Sequence, residues 1–194
     1  MAEAYFPLPT NLPIPLDDGA AAHLPDRSLP EIDLPGTDGS MVNLGRLRGL
    51  WVIYVYPMTG RPDVPLPDGW DDIPGARGCT PQSCSFRDHF AELGALGAGV
   101  FGLSAQTVEY QREARNRLRL PYELLSDASL RLECALGLPT FEVAGMRLFK
   151  RLTLITESGR IRKVFYPVFP PDRNAEEVLL WLRGAVSASR TAHQ

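Results

Sequence analysis

Residues 78–88 read GCTPQSCSFRD and contain Cys79 and Cys84, two of the three cysteines in this 194-residue chain. The two cysteines are five positions apart. The role assigned to this pair decides which fold and function the rest of the sequence is tested against. On local sequence, three interpretations are open: buried apolar side chains, a pair of metal ligands, or a reactive dithiol. The secondary structure around the pair is the first guide.

The pair lies at the predicted start of a helix. Thr80 followed by Pro81 is typical of a helix N terminus, and apolar residues continue at helical spacing to about residue 96. Unpaired N–H groups and the positive dipole end at such a terminus favour a thiolate, which predicts a nucleophile at Cys79. Five helical positions separate Cα atoms by about 8–9 Å, more than a disulfide allows, so a bond to Cys84 requires the first turn to unwind.

The other two interpretations remain open at this point. Cysteines are often small buried apolar side chains, and Cys134, in the apolar segment LECALGL, fits that description. A zinc site would combine Cys79, Cys84 and His89, but these spacings match no common zinc motif.

Composition excludes several classes of protein. A formal net charge of −3 offers no basic field for nucleic acid, and no apolar run approaches the roughly 20 residues that span a bilayer. Residues 1–25 lack the pattern of a secretion signal, and three cysteines argue against a disulfide scaffold. We therefore expect a cytoplasmic protein with reduced thiols and with no nucleic-acid or membrane partner.

The chain is expected to form one domain with extensions. Seven of its 18 prolines fall in the first 36 residues, so residues 1–27 are predicted to be an extended proline-rich arm. Residues 28–188 form the predicted domain, with a proline- and glycine-rich loop at about 58–78, and residues 189–194 are expected to be a frayed tail.

Hydrophobic patterns predict an α/β fold with a mixed sheet. The continuous apolar run LWVIYVYP at 50–57 is the candidate central strand. The other predicted elements are a hairpin across TDGS at 37–40, a strand at 97–105, a helix at 107–119, an extended segment at 121–127, a helix at 128–136, a hairpin of 147–156 with 160–168, and a helix at 174–188 capped by Asn174.

These motifs together resemble the Q-type branch of the peroxiredoxins, the bacterioferritin comigratory proteins. In that branch two cysteines five positions apart on one helix precede Phe-Arg-Asp, as in GCTPQSCSFRD. The likeness covers about residues 28–185 and includes DLPGTDGSMVNLGRLRG at 33–49, YVYP at 54–57, LPYELLSDAS at 120–129 and VFPPDRNAEEVLLWL at 168–182.

The resemblance implies a thioredoxin-like three-layer sandwich with a central mixed sheet flanked by helices. It also implies reduction of hydrogen peroxide and organic hydroperoxides. The thiolate of Cys79 would become a sulfenic acid and condense with Cys84, and thioredoxin or a glutaredoxin-like dithiol would reduce the disulfide. No metal or organic cofactor is implied, and we expect a monomer or a weak homodimer.

The chain departs from the family pattern before the first cysteine. The family has a proline and a threonine seven and three positions earlier, where this chain has Asp72 and Ala76. Pro57 stands 22 positions before Cys79, whereas the family proline stands seven positions before its cysteine. The difference indicates an insertion of about 15 residues. Thr59 is the predicted source of the missing hydroxyl.

The remaining predicted site residues flank the cysteine or lie far along the chain. Thr80 is a rival source of the hydroxyl, and Gln82 stands where the branch often has glutamate. With Pro57, both are predicted to contact substrate. Arg151 is the predicted arginine of the family site. Lys150, the residue before it, is the alternative if the strand is shifted by one position. A fixed guanidinium stabilises a thiolate and a developing oxygen anion.

Two further hypotheses remain. The protein is a peroxide sensor or redox-regulated binding protein if loop 58–78 presents a partner surface. It is an inactive member of the fold if the displaced proline and threonine abolish peroxide orientation. Catalytic turnover with a reductant distinguishes an enzyme from both.

Overall fold

The computed structural model of the chain describes residues 8–9 and 11–191. Its strands are β1 (Asp33–Pro35), β2 (Met41–Asn43), β3 (Leu50–Val55), β4 (Ala98–Ser104), β5 (Leu124–Ser126), β6 (Thr140–Val143), β7 (Met146–Phe149), β8 (Leu152–Glu157) and β9 (Arg160–Phe165). Its α-helices are α1 (Cys79–Asp88), α2 (Phe90–Ala95), α3 (Val108–Leu118), α4 (Arg131–Leu136) and α5 (Asn174–Thr191).

Strand β3 lies at the centre of the main sheet. In the described part of the chain this sheet has the order β5-β4-β3-β8-β9. β3 runs parallel to β4 and antiparallel to β8, while β4 is parallel to β5 and β8 is antiparallel to β9. The predicted mixed sheet is confirmed, and the continuous apolar run at 50–57 provides its central strand.

Helices cover both faces of this sheet. Successive residues of β3 point to opposite faces. Tyr54 packs with residues of α1, α2, α3 and α5, whereas Ile53 packs with residues of α4, β1 and the segment before β1. Both side chains are fully buried. The result is the three-layer arrangement that the family resemblance implies.

The helix that carries the two cysteines differs from its prediction. Its N-cap is Gly78, whose φ of 103° lies in the left-handed region that favours glycine, so Thr80 lies inside the first turn. His89, with φ −99° and ψ 8°, separates α1 from α2. The single helix predicted to run to about residue 96 is therefore two short helices.

The predicted strand at 147–156 is also two strands. β7 pairs with β6, whereas β8 joins the central sheet. Lys150 and Arg151 lie between them, and the backbone N–H of Lys150 donates to the carbonyl of Pro139 at 2.8 Å. The interruption leaves Lys150 at the surface and buries Arg151, which is 4% exposed.

Asn174 is the first residue of α5 and not its cap. Its φ of −62° and ψ of −37° are helical, and its side chain is fully buried. α5 continues past the predicted end at 188, and of the predicted frayed tail residues 192–194 lie outside the described residues. Neither α5 nor any other helix described here has the length and apolar character needed to cross a membrane.

Cys134 is exposed, and the expectation that it is a buried apolar side chain is wrong. It lies on α4, whose Leu132 and Leu136 are buried in the core. Residues four apart share a helix face, and the residue midway between them points to the opposite side. An apolar segment of this length therefore does not bury all of its members.

The proline-rich arm enters the core before its predicted end at residue 27. Between residues 11 and 27 the described chain is irregular, without helix or strand. Ala21 and Leu24 nevertheless pack in the core beneath the sheet. Residues 1–7 and 10 of the predicted arm lie outside the described residues.

Candidate active site

Cys79 is the first residue of α1 and lines a cavity of about 580 Å³. Only 3% of the residue is exposed, so the cavity is its route to small molecules. Gly78 supplies no side-chain cap to α1. The first-turn N–H groups and the positive helix end therefore remain available to stabilise negative charge on the sulfur.

Arg151 binds the sulfur of Cys79. Its Nη2 donates to Cys79 Sγ at 3.1 Å and to the carbonyls of Ala76 and Arg77 at 3.1 Å each. Its Nε donates to the carbonyl of Gly75 at 3.3 Å. The last residues of the inserted loop thus hold the guanidinium against the thiol.

Lys150 does not compete with Arg151 for this position. Its Nζ lies 2.5 Å from Oδ2 of Asp18 at the surface, on the predicted arm. The interruption between β7 and β8 therefore separates the two basic residues. Arg151 faces Cys79, and Lys150 forms an ion pair with Asp18 of the N-terminal arm.

Gln82 links Arg151 to the protein interior. Its Oε1 accepts a hydrogen bond from Arg151 Nη1, and its Nε2 donates to Oδ1 of Asn174 at 3.0 Å. The side chain is fully buried. Because the oxygen and the nitrogen of its amide are both hydrogen-bonded within the protein, Gln82 orients Arg151 in this structure. Its predicted contact with substrate stays a prediction.

Cys84 lies about 1.4 turns further along α1. It is 8% exposed and lines the same cavity as Cys79. Neither cysteine forms a disulfide, and the helix between them holds their Cα atoms about 8–9 Å apart. The helical geometry expected from the sequence is present, so a bond between these sulfurs requires a change in α1.

Thr59 directs its hydroxyl to another residue. Its Oγ1 donates to Oε1 of Gln106 at 3.1 Å, and its backbone N–H donates to the same oxygen at 2.9 Å. The carbonyl of Pro57 accepts from Ser104 Oγ at 2.9 Å. Pro57 and Thr59 thus fasten the start of the inserted loop to the end of β4. Thr59 and Thr80 are the two candidates for the hydroxyl that orients peroxide. Thr80 is among the residues that line the cavity.

The cavity combines an apolar wall with basic residues. Trp70, 3% exposed, packs with Ala76 and Leu148 and forms part of the wall. The tryptophan of loop 58–78 is therefore buried and not exposed at the surface. Other wall residues are Leu8, Met58, Leu66 and Leu118, and the basic lining residues are Arg61, Arg77, Arg87 and Arg117.

Two buried tyrosines hold the middle of α1. The hydroxyl of Tyr122 donates to the carbonyl of Ser83 at 2.8 Å, and that of Tyr54 donates to Ser83 Oγ at 3.1 Å. Burial raises the pKa of both tyrosines above their ordinary value. Both therefore remain neutral hydrogen-bond donors at neutral pH.

Sequence analysis missed Gln106, Asn174 and the two tyrosines. Asn174 carried one local signal, its place before an amphipathic segment, and that signal predicted a cap. Gln106 and the tyrosines stand in segments whose patterns predicted only strand or loop. Their partners lie 29 or more positions away, beyond the reach of any local pattern.

A scan against protein-family models matches residues 24–179 to the Redoxin model. The chain belongs to the Redoxin family. The matched block contains both cysteines, Arg151, Gln82 and Asn174, but neither Leu8 nor Asp18.

Curated relatives of this redoxin are peroxiredoxins Q. The chloroplastic peroxiredoxins Q of Gentiana triflora and Suaeda salsa are each 28% identical, over 157 and 155 residues. These alignments cover 80% and 79% of this chain but only 65% of each relative. They confirm the resemblance to the Q-type peroxiredoxins.

Solved structures agree with the fold. The peroxidoxin BcpB of Mycobacterium tuberculosis is 25% identical, with a TM-score of 0.68 over 83% of this chain and 97% of that one. The bacterioferritin comigratory protein of Xanthomonas campestris, 20% identical with a TM-score of 0.63 over 90% and 98% of the two chains, shares the fold. The predicted thioredoxin-like fold is confirmed.

Proposed function

We propose that this protein is a thiol peroxidase with Cys79 as its peroxidatic and Cys84 as its resolving cysteine. The observation that carries the proposal is the 3.1 Å hydrogen bond from Arg151 Nη2 to Cys79 Sγ beside the cavity. A permanently charged guanidinium there stabilises the thiolate and the oxygen anion formed when the O–O bond breaks. The likeness to peroxiredoxins Q supports the same activity.

In the first step, the thiolate of Cys79 attacks the terminal oxygen of a hydroperoxide. An S–O bond forms and the O–O bond breaks, so sulfur is oxidised to a sulfenic acid and the peroxide is reduced. The alkoxide or hydroxide leaves and takes up a proton, giving an alcohol or water. Arg151 lies where it can stabilise this anion, because its Nη2 already contacts the attacking sulfur.

In the second step, the thiol of Cys84 condenses with the sulfenic acid of Cys79. An S–S bond forms, the S–O bond breaks, and water leaves. Because the folded helix holds the two Cα atoms about 8–9 Å apart, the first turn of α1 must unwind for this step. Unwinding this turn breaks the hydrogen bond from the Gln82 N–H to the Gly78 carbonyl, which is 3.0 Å long, whereas Pro81 has no N–H to lose.

Recycling requires an external dithiol. Thioredoxin or a glutaredoxin-like protein is the proposed donor, and its two thiols become a disulfide as Cys79 and Cys84 are reduced. We also propose a cytoplasmic location and a monomer or weak homodimer.

Three cysteine variants test the proposal. We expect Cys79→Ser to abolish peroxide consumption in the presence of a thioredoxin system. We expect Cys84→Ser to consume about one equivalent of peroxide and then to overoxidise. Cys134→Ser is the matched control, because this cysteine is exposed on α4, and its turnover should equal that of the parent protein.

Mass spectrometry after one equivalent of peroxide identifies the joined sulfurs. A bond between Cys79 and Cys84 is expected. Equal loss of the first oxidation in the Cys79→Ser and Cys84→Ser variants would refute the assignment of roles. A single oxidation of the parent protein without recycling by any dithiol would favour the sensor hypothesis instead.

A further inference from the structure

The buried residue Asn174 is connected to Arg151 and Cys79 by hydrogen bonds through Gln82. Oδ1 of Asn174 accepts two hydrogen bonds, from Gln82 Nε2 at 3.0 Å and from Thr153 Oγ1 at 2.6 Å. All three side chains are fully buried. A continuous chain of hydrogen bonds thus runs from α5 through Gln82 to Arg151 and the sulfur of Cys79.

The direction of this chain is fixed by chemistry. A guanidinium has only donors, so Gln82 must present its Oε1 to Arg151 and its Nε2 to Asn174. Asn174 must then present its oxygen to Gln82. Its Nδ2 is buried and has no hydrogen-bond partner among the described residues. Such an orphaned donor is unfavourable, so the arrangement serves the orientation of Gln82 at the expense of stability.

The anchor lies in the segment that must unwind. Cys79 reaches Cys84 only if residues between them leave helical geometry, and Gln82 is one of these residues. The hydrogen bond from Gln82 to Asn174 therefore favours the folded form of α1. In that form Arg151 contacts the sulfur and the two cysteines stay apart.

We propose that Asn174 is a positioning residue that acts through Gln82, and that it sets the balance between the folded and unwound forms of α1. This inference rests on the proposed peroxidase function. The folded form reacts with peroxide, because Arg151 is in place. The unwound form makes the disulfide. One hydrogen bond therefore affects the two steps in opposite directions.

The same balance decides the fate of the sulfenic acid. It either condenses with the Cys84 thiol and loses water, or attacks a second hydroperoxide. In the second case another S–O bond forms, the O–O bond breaks, an alcohol or water leaves, and Cys79 becomes a sulfinic acid. A helix that is held folded for longer gives the second reaction more time.

The expected effect of Asn174→Ala has two parts. The rate constant for the first oxidation of Cys79 should fall and that for disulfide formation should rise, so that the ratio of the two rate constants changes about tenfold, which is the effect of one buried hydrogen bond on the balance between the two forms. More peroxide should be needed to overoxidise half of the protein.

Val178→Ala is the matched control, since Val178 is a fully buried residue of the same helix without a hydrogen-bonding side chain. It should lower stability and leave the ratio of the two rate constants unchanged. Thr153→Val, which removes the other donor to Asn174, should change both rates in the same directions as Asn174→Ala but by less. This variant keeps the test open if Asn174→Ala fails to fold.

Stopped-flow measurement of the first oxidation and quenched mass spectrometry of disulfide formation give the two rate constants. Opposite changes in Asn174→Ala or Thr153→Val support the inference. It is overturned if both rates are unchanged, if both fall together, or if Val178→Ala changes the ratio of the two rate constants as much as Asn174→Ala does. A parent protein whose Cys79 does not react with peroxide would refute the proposed function itself.

Discussion

A Cβ atom on Gly78 would lie 2.3 Å from Cγ of Pro171. The residue before the candidate nucleophile therefore packs directly against the turn that leads into α5. Its φ of 103° adds a second, independent requirement for glycine. The start of α1 is thus fixed by a close contact between two segments that are far apart in sequence.

Gly78→Ala is expected to destabilise the protein by about 1–3 kcal/mol, because it combines a steric clash with a strained backbone. It should also slow the first oxidation, since the start of α1 carries Cys79. Urea unfolding and stopped-flow kinetics measure the two effects. Gly94→Ala is the matched control: a Cβ there meets open space, and no change or a slight gain in stability is expected.

Arg151→Lys is expected to lower kcat/KM for peroxide by about 10²–10³-fold. Lysine keeps the charge but loses the fork that contacts Cys79, Gln82 and the loop carbonyls together. Steady-state rates at saturating reductant measure this loss. The control is Lys150→Arg, which changes an exposed residue paired with Asp18 and should leave kcat/KM unchanged. Comparable losses in the two variants would contradict the assignment of Arg151.

Thr59→Val is expected to lower stability by about 1 kcal/mol and to leave the first oxidation nearly unchanged. Its hydroxyl donates to Gln106, so the substitution removes a structural hydrogen bond. Thr80→Val should slow the oxidation more, because Thr80 lines the cavity. A larger kinetic effect of Thr59→Val than of Thr80→Val would reinstate Thr59 as the hydroxyl that orients peroxide.

Asp18→Asn tests how the arm is fastened. Hydrogen bonds from Lys150, Tyr166 and the N–H of Ala20 hold the pKa of Asp18 far below its ordinary value of 3.8. A depressed folded-state pKa means that the stabilisation is present above pH 3.8 and is lost as the pH falls below that value. The residue is well exposed, so the effect is expected to be under about 1 kcal/mol.

The free energies of unfolding of the parent and Asp18→Asn proteins should therefore differ at pH 7 and converge only as the pH falls well below 3.8, toward the depressed pKa of the folded protein. Urea titrations across this range measure the difference. A difference that is constant with pH would mean that the charge of Asp18 contributes nothing.

Sequence analysis succeeded where the signal was local. The apolar run at 50–57 predicted the central strand because a strand buried on both faces has few alternatives. The spacing of Cys79 and Cys84, together with the family resemblance, predicted the candidate redox pair. Resemblance also placed an arginine near residue 151, although it could not separate Arg151 from Lys150. The break between β7 and β8 makes that separation.

The rest of the site depends on contacts between distant residues. Gln82 and Asn174 are 92 positions apart, and Thr59 and Gln106 are 47 apart. No periodicity or turn motif encodes such pairs, because tertiary packing brings them together. Cys134 shows the opposite error: an apolar neighbourhood predicted burial, but the helix turns this one side chain outward.

The wall of the cavity draws on residues that precede the block shared with other redoxins, which begins at residue 24. Leu8 and Pro9 line the cavity, and Asp18 fastens their segment to Lys150. An expression fragment trimmed to the homologous block would keep both cysteines and Arg151 but would lack this side of the entrance. Ligand preferences measured on such a fragment would describe a wider opening than the one that includes Leu8 and Pro9.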